Sequence, residues 1–125
     1  MTPEELEERV TYWQNILRLR DWKIAVKYAD SSDEVDNNAG QCLAHQHTKT
    51  AVIKLIKPEA FNPTSPFSQA FPENLDEETT LVHEMLHIHF DGLFIEDDHE
   101  VREEREEQAI EFVAEALVRL NRGAL

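Results

Sequence analysis

The chain has 125 residues, which corresponds to one domain that is large enough to bury a hydrophobic core. Hydrophobic residues make up 41% of it, and no run approaches the ~18 apolar residues that a membrane helix needs. The 26 acidic residues outnumber the 12 basic ones and give a net charge of −14, so we expect no nucleic-acid partner. The single cysteine, Cys42, excludes an internal disulfide and a cysteine-based zinc site, and it fits a cytoplasmic protein.

The first predicted element is a helix at about residues 3–20. Thr2 is the expected N-cap, Pro3 the first helical residue, and Glu5 completes a capping box. Apolar residues then recur at helical spacing: Leu6, Val10, Trp13, Ile16, Leu17 and Leu19. The next segment, WKIAVKYA at 22–29, alternates apolar and polar residues and predicts a half-buried strand.

Two further strands are predicted at AGQCLAHQ and TAVIKLI, after an acidic loop and on either side of HTKT. His45 and His47 are two apart on one strand face, a spacing that allows a metal pair but more often marks exposed histidines. Residues 57–74 contain four of the five prolines and predict a long loop, of the kind that either contacts a substrate or only covers the core.

A second long helix is predicted at about residues 75–91. Asn74 and Glu77 resemble a capping box at its start, and Gly92 lies where a left-handed cap is expected after its end. The central part of this helix, LVHEMLHIHF, places histidines and a glutamate inside an apolar run.

These polar residues match the pattern H-E-x-x-H. His83 and His87 are four residues apart and project from the same helix face, with Glu84 displaced by about 100°. Two neutral imidazoles suit Zn²⁺ and leave positions for one more protein ligand and a water, from which the glutamate can remove a proton. The sequence therefore predicts one zinc ion per chain, bound by His83, His87 and a third ligand, with Glu84 as the catalytic residue.

The third ligand is expected on a C-terminal helix that begins near residue 100. The apolar stripe predicted to face the core consists of Ala109, Ile110, Val113, Leu117 and Leu120. At about 100° per residue, Glu106 falls near the centre of this stripe and Glu107 at its edge. A carboxylate there needs a cation, either zinc or Arg102 one turn earlier. Glu106 is the predicted ligand, and Glu107, Glu103 and His99 remain alternatives.

LVHEMLH followed by EEQAIEFVAEAL resembles the small zincin metallopeptidases of the ImmA/IrrE type and related phage-encoded metallopeptidases. In their signature, H-E-x-x-H precedes E-x-x-A-x-x-F, and the first glutamate of the second motif binds zinc. Those positions are Glu106, Ala109 and Phe112 here, so the resemblance also implies Glu106 as a ligand. The order of the elements is similar to that of SprT-like minimal zincins, but the zinc ribbon common in those proteins is missing, and only His99 corresponds to their third histidine.

The predicted fold is α+β, a minimal zincin-like domain over residues 1–125. It comprises an N-terminal helix, a small, mostly antiparallel three-stranded sheet, the H-E-x-x-H helix and the ligand helix. The predicted function is zinc-dependent hydrolysis of a protein or peptide in the cytoplasm, which is the host cytoplasm if the protein is phage-encoded. One alternative is a non-enzymatic, zinc-stabilised binding or accessory protein, and another is a hydrolase of a different substrate. The oligomeric state stays open, as does the oxyanion donor, for which the candidates are Tyr28, His89, His99 and Arg102.

Overall fold

The computed structural model describes residues 1–35, 39–61, 76–91 and 99–123, except for the side chains of Ser32 and of residues 99–103. The described part contains three helices and a three-stranded sheet, which confirms the predicted α+β class. The elements are α1 (Pro3–Ile16), β1 (Lys23–Ala29), β2 (Gly40–His45), β3 (Thr50–Ile56), α2 (Glu77–Phe90) and α3 (His99–Arg122). Short 3-10 turns at Ser32–Val35 and Pro58–Ala60 follow β1 and β3.

Helix α1 begins as predicted and ends earlier than predicted. The Thr2 side chain accepts a hydrogen bond from the Glu5 N–H, and the Glu5 carboxylate accepts one from the Thr2 N–H, which confirms the capping box. The helix stops at Ile16 because the chain then turns through Arg18, whose φ of 61° is left-handed. Leu19 is still buried, at 1% exposure, through this turn and not through a further helical turn.

The sheet has the strand order β1-β3-β2. β2 and β3 are antiparallel, as a short connection between neighbouring strands allows. β1 and β3 are parallel, with Lys23 opposite Thr50 and Ala29 opposite Ile56. The prediction of a mostly antiparallel sheet is therefore wrong. The sheet is mixed because β3 lies between β1 and β2, so that β2 belongs to the connection between the parallel strands β1 and β3.

One face of the sheet carries the core. α1 packs against β1, α2 packs on β2 and β3, and α3 packs on α2. Each element contributes apolar side chains to this main cluster, and each large side chain that is fully buried stabilises the fold by about 1.5–3 kcal/mol. A smaller cluster of Ala29, Val35 and Ile56 lies at the end of β1 and β3. The most buried members of the main cluster are Leu6, Val10, Trp13, Leu19, Ala51, Ile53, Leu55, Leu81, Val82, Met85, Ile88, Ile110, Ala114 and Val118.

Ion pairs fix the start of α2 against the end of α3. Asp76 is the N-cap of α2, where its side chain accepts a hydrogen bond from the Thr79 N–H. Arg122 donates to the same carboxylate over 2.8 Å. Glu78 accepts hydrogen bonds from Trp13 Nε1 at 2.9 Å and, through its other oxygen, from Arg122 at 3.4 Å. These contacts set the register of the two antiparallel helices.

Some predicted features lie outside the described residues. These are the capping residue Asn74, the cap position Gly92 and residues 62–74 of the predicted proline-rich loop. The described cap of α2 is Asp76, two residues after the predicted one. In the described part of the chain, no helix combines the length and the apolar character that crossing a membrane requires.

Candidate metal centre

Helix α2 brings the two histidines of the H-E-x-x-H pattern together. They are one helical turn apart, so the centroids of their rings are separated by 5.1 Å and their Nε2 atoms by only 3.3 Å. The side chains of His83 and His87 are 12% and 14% exposed, respectively. Both rings are therefore largely shielded from solvent.

Helix α3 supplies a carboxylate to both rings. Glu107 Oε2 lies 2.9 Å from His83 Nε2, and Glu107 Oε1 lies 2.7 Å from His87 Nε2. One ligand atom of each of the three side chains lies within 4.8 Å of the others. Two imidazoles and a carboxylate that converge in this way form a ligand set typical of zinc.

The spacing of the two nitrogens fits a single ion. Ligands of a tetrahedral zinc ion at Zn–N distances of ~2.05 Å are about 3.3 Å apart. The Nε2 atoms of His83 and His87 are separated by that distance. The two ligand positions are thus already formed by the helix geometry, and this supports a metal in this place.

Further carboxylates lie behind both rings. Asp91 Oδ1 is 3.0 Å from His87 Nδ1, and Glu111 Oε2 is 3.6 Å from His83 Nδ1. A carboxylate at Nδ1 favours a proton on that nitrogen, which leaves the Nε2 lone pair for a metal. Both histidines therefore direct Nε2 toward the Glu107 carboxylate.

The charges around the rings favour a cation. Burial lowers the pKa of both histidines, but neighbouring carboxylates raise it more. These carboxylates are Glu107 and Glu111 at His83, and Asp91 and Glu107 at His87. The net result is a pKa of about 9 for His83 and about 10 for His87. Hydrogen bonds with both histidines lower the pKa of Glu107 to about 2. Without a metal, the site therefore binds two protons, which a divalent ion would replace.

Glu84 is the one charged residue that is buried within the described part of the chain, with 7% exposure. Among the described residues, no hydrogen bond or ion pair involves its carboxyl group. Burial raises its pKa to about 7, although the neighbouring His83 and His87 oppose this effect. A carboxyl group of this kind can take up and release a proton near neutral pH.

Strand β2 packs tightly against the Glu84 side chain at Gly40. A Cβ atom on Gly40 would lie 2.9 Å from Thr80 Cγ2 and 3.2 Å from Glu84 Cγ. Contacts this short are not tolerated without movement, so only glycine allows this strand to approach α2 here. Gly40 therefore helps to hold Glu84 in its place.

The structure places Glu107, and not Glu106, against both histidines. The prediction that the stripe through Val113 and Leu120 faces the core is wrong, because these side chains are 42% and 56% exposed. Among the described side chains of α3, the buried ones are Ile110, Ala114 and Val118. Their centre is rotated by roughly 90° from that of the predicted stripe, which turns Glu107 toward α2 and Glu106 aside. Glu107 lies at the surface end of the site, where its side chain is 48% exposed. Glu106 joins a second group of possible ligands with His87 and Asp91.

The other candidates have different positions. Tyr28 donates a hydrogen bond to Glu77 at the start of α2, and His89 Nε2 lies 2.6 Å from the Leu17 carbonyl, so neither is available as an oxyanion donor. Among the described residues, His45 and His47 join no group of possible metal ligands. The side chains of the remaining candidates, His99, Arg102 and Glu103, lie outside the described part.

Sequence reasoning did not give Asp91, Glu111 and Gly40 the positions they have in the site. Asp91 was only one of several acidic candidates for the third ligand, Glu111 was expected to point away and lies 3.6 Å from His83 Nδ1 instead, and Gly40 was not singled out. Asp91 follows His87 by four positions, and Glu111 follows Glu107 by four, so helical spacing could have indicated both. The role of Gly40 depends on the contact between a strand and a helix, for which the sequence has no local signal.

Comparison of this chain with known protein families, with curated proteins and with solved structures finds no match.

Proposed function

We propose that this chain is a zinc-dependent metallopeptidase with a minimal zincin-like domain. The ligands are His83, His87 and Glu107, and Glu84 is the general base. The observation that carries the proposal is the convergence of two Nε2 atoms and one carboxylate, 2.7–3.3 Å apart, beside the buried carboxyl group of Glu84, which has no hydrogen-bond partner among the described residues. Glu107 replaces Glu106, the ligand predicted from the sequence, because only Glu107 contacts both rings.

Zinc in this site would polarise a peptide carbonyl and lower the pKa of water toward ~7. Glu84 takes the proton of the attacking water and delivers it to the leaving amine when the peptide bond breaks. Its burial beside the two histidines suits both steps, because the carboxyl group lies next to the position where the proton is taken up and released. Asp91 accepts the Nδ1 proton of His87, and the Glu111 charge 3.6 Å from His83 Nδ1 favours a proton on the same nitrogen of that ring. Both carboxylates would thus leave Nε2 as the metal-binding atom.

The substrate is a protein or peptide that binds in an extended form. Strand β2 is an edge of the sheet, since among the described strands it pairs only with β3, and it packs against α2. An extended peptide can add to such an edge through main-chain hydrogen bonds. This would place the peptide backbone next to the helix that carries Glu84.

The rival proposal, a zinc clamp without catalysis, gives Glu84 no function. A buried carboxyl group without a hydrogen bond destabilises a fold, and a leucine or glutamine would serve a structural helix better. Glu84 does not contact the ion in the proposed arrangement, so metal affinity does not explain its presence either. A role in proton transfer does.

The test compares the wild type with Glu84→Gln. Zinc-loaded wild-type protein should cleave members of a peptide library, with products identified by mass spectrometry, and this cleavage should cease in the presence of a chelator. Glu84→Gln should bind zinc with wild-type affinity and cleave nothing. Zinc binding without any cleavage by the wild type would favour the clamp, and loss of zinc from Glu84→Gln would show that Glu84 is a ligand.

A further inference from the structure

The outer face of the sheet has a charge pattern opposite to that of the whole chain. In the register of the strands, Lys27 lies beside Lys54, and the next row on the same face consists of Ala25, Val52 and Leu43. Lys23 follows beyond that row on β1. We call these six residues the lysine face. No carboxylate occupies this side of the three strands, although acidic residues outnumber basic ones by 26 to 12 in the chain.

The lysines of this face have no partner among the described residues, whereas the two other lysines of the chain do. Lys49 pairs with Asp21 and Lys57 with Asp30, both near the ends of the strands. Among the described residues, Lys23, Lys27 and Lys54 form neither an ion pair nor a hydrogen bond through their side chains. In a chain with so many carboxylates, three lysines on one surface that pair with none of the described carboxylates form a local basic patch, which an anionic partner can bind.

The pair Lys27 and Lys54 strengthens this conclusion. The two residues are direct partners across β1 and β3 on the same side of the sheet. Like charges in this arrangement destabilise a sheet, and a glutamate at either position would replace the repulsion with an attraction. An anionic partner that binds both ammonium groups accounts for this arrangement.

The middle row of the lysine face shows what kind of anion fits. Leu43 is 52% exposed and Val52 is 36% exposed, so an aliphatic strip separates Lys23 from the other two lysines. Nucleic acid fits poorly, because this face has no aromatic side chain for base stacking and the net charge of −14 repels phosphate. The three strands are together about 10 Å wide, which equals the diameter of one α-helix with its side chains, so one helix can cover this face.

We propose that the lysine face binds an acidic amphipathic helix of another protein. The apolar side of that helix contacts the row of Ala25, Val52 and Leu43, and its carboxylates pair with the lysines. This face lies on the opposite side of the sheet from α2, so a partner bound there leaves the metal centre accessible. The proposal does not depend on the proposed peptidase function.

The test uses a fluorescein-labelled synthetic helix of Glu, Ala and Leu, about five turns long, with its leucines on one side. Fluorescence anisotropy measures its binding, and amide chemical shifts locate it on the protein. Binding should weaken as salt increases, and the shifts should be confined to β1, β2 and β3. Lys27→Glu/Lys54→Glu should reduce the affinity by about tenfold or more.

The control is Lys49→Glu/Lys57→Glu, which makes the same change of charge outside the lysine face and should leave the affinity unchanged. The single variant Lys27→Glu tests folding separately, and its melting temperature should equal or exceed that of the wild type. Equal binding by the wild type and Lys27→Glu/Lys54→Glu, shifts on the helices, or no binding at low salt would overturn the proposal. Preference for an oligothymidine of similar length would overturn the choice of a protein partner. Self-association that Lys27→Glu/Lys54→Glu abolishes would overturn the choice of a different protein.

Discussion

Glu107 Oε1 lies 2.7 Å from His87 Nε2, although the two residues belong to different helices. This contact requires a defined register between α2 and α3. At the other end of the helix pair, Arg122 lies 2.8 Å from the Asp76 carboxylate, which caps α2. The two helices are therefore held together by the Asp76–Arg122 ion pair where α2 begins and α3 ends, and by the residues of the candidate metal centre toward the opposite end.

Arg122→Gln tests this ion pair through its pH dependence. The hydrogen bond from Arg122 lowers the pKa of Asp76. The stabilisation is therefore present above the ordinary aspartate value of 3.8 and is lost as the pH falls through the lower folded value. Because Arg122 is half-exposed, the loss at pH ~7 should be under about 1 kcal/mol. Urea unfolding should show this difference at neutral pH and a smaller one in acid. Arg119→Gln, in the same last turn, should behave like the wild type, and an unchanged difference in acid would argue against the Asp76 contact.

Gly40→Ala tests how Glu84 is positioned. A Cβ atom 3.2 Å from Glu84 Cγ forces either the strand or the glutamate to move. The variant should lose about 1–3 kcal/mol of stability and most hydrolysis, but it should still bind zinc. Adding Thr80→Ser removes the methyl group that lies 2.9 Å away and should restore part of both losses. Full activity in Gly40→Ala would show that the strand does not position Glu84.

Asp91→Asn and Glu111→Gln test the outer carboxylates. Each removes the acceptor charge behind one histidine, so zinc affinity in a competition titration should fall by about 10–100-fold. The absorption spectrum of the cobalt-loaded protein should keep its tetrahedral form, because the ligands are unchanged. Glu115→Gln, an exposed glutamate on the same helix as Glu111, is the control for charge and should have no effect. Wild-type affinity in both variants would contradict an orienting role.

Local patterns in the sequence predicted that His83 and His87 lie together on one helix face, that Thr2 caps α1 and that β1 alternates between buried and exposed residues. Each of these features depends on residues only a few positions apart. The orientation of α3 was missed for a physical reason. Apolar residues occur on several sides of this helix, and Val113 and Leu120 led to the prediction that their side faces the core, whereas it is exposed. The buried side contains Ala114, whose small side chain allows α3 to lie close to α2. That choice depends on the surface of the neighbouring helix.

The strand pairing was missed for a similar reason. The short connection between β2 and β3 is a local signal for antiparallel pairing, and the structure confirms it. The position of β1 beside β3 depends on contacts between segments more than twenty residues apart, such as Lys23 with Thr50. Alternation shows which side of a strand faces the core but not which strand is its neighbour.

The most direct test is a zinc titration of metal-free wild type, Glu107→Gln and Glu106→Gln. Both variants remove one charge from neighbouring positions on α3 and keep the shape of the side chain. The wild type should bind one zinc ion per chain and melt at a higher temperature when loaded, because the ion binds the folded state. Glu107→Gln should lose more affinity than the ~10–100-fold typical of outer-shell changes, together with the rise in melting temperature, whereas Glu106→Gln should retain both. Wild-type binding by Glu107→Gln, or loss of zinc from Glu106→Gln alone, would contradict the assignment of the metal centre.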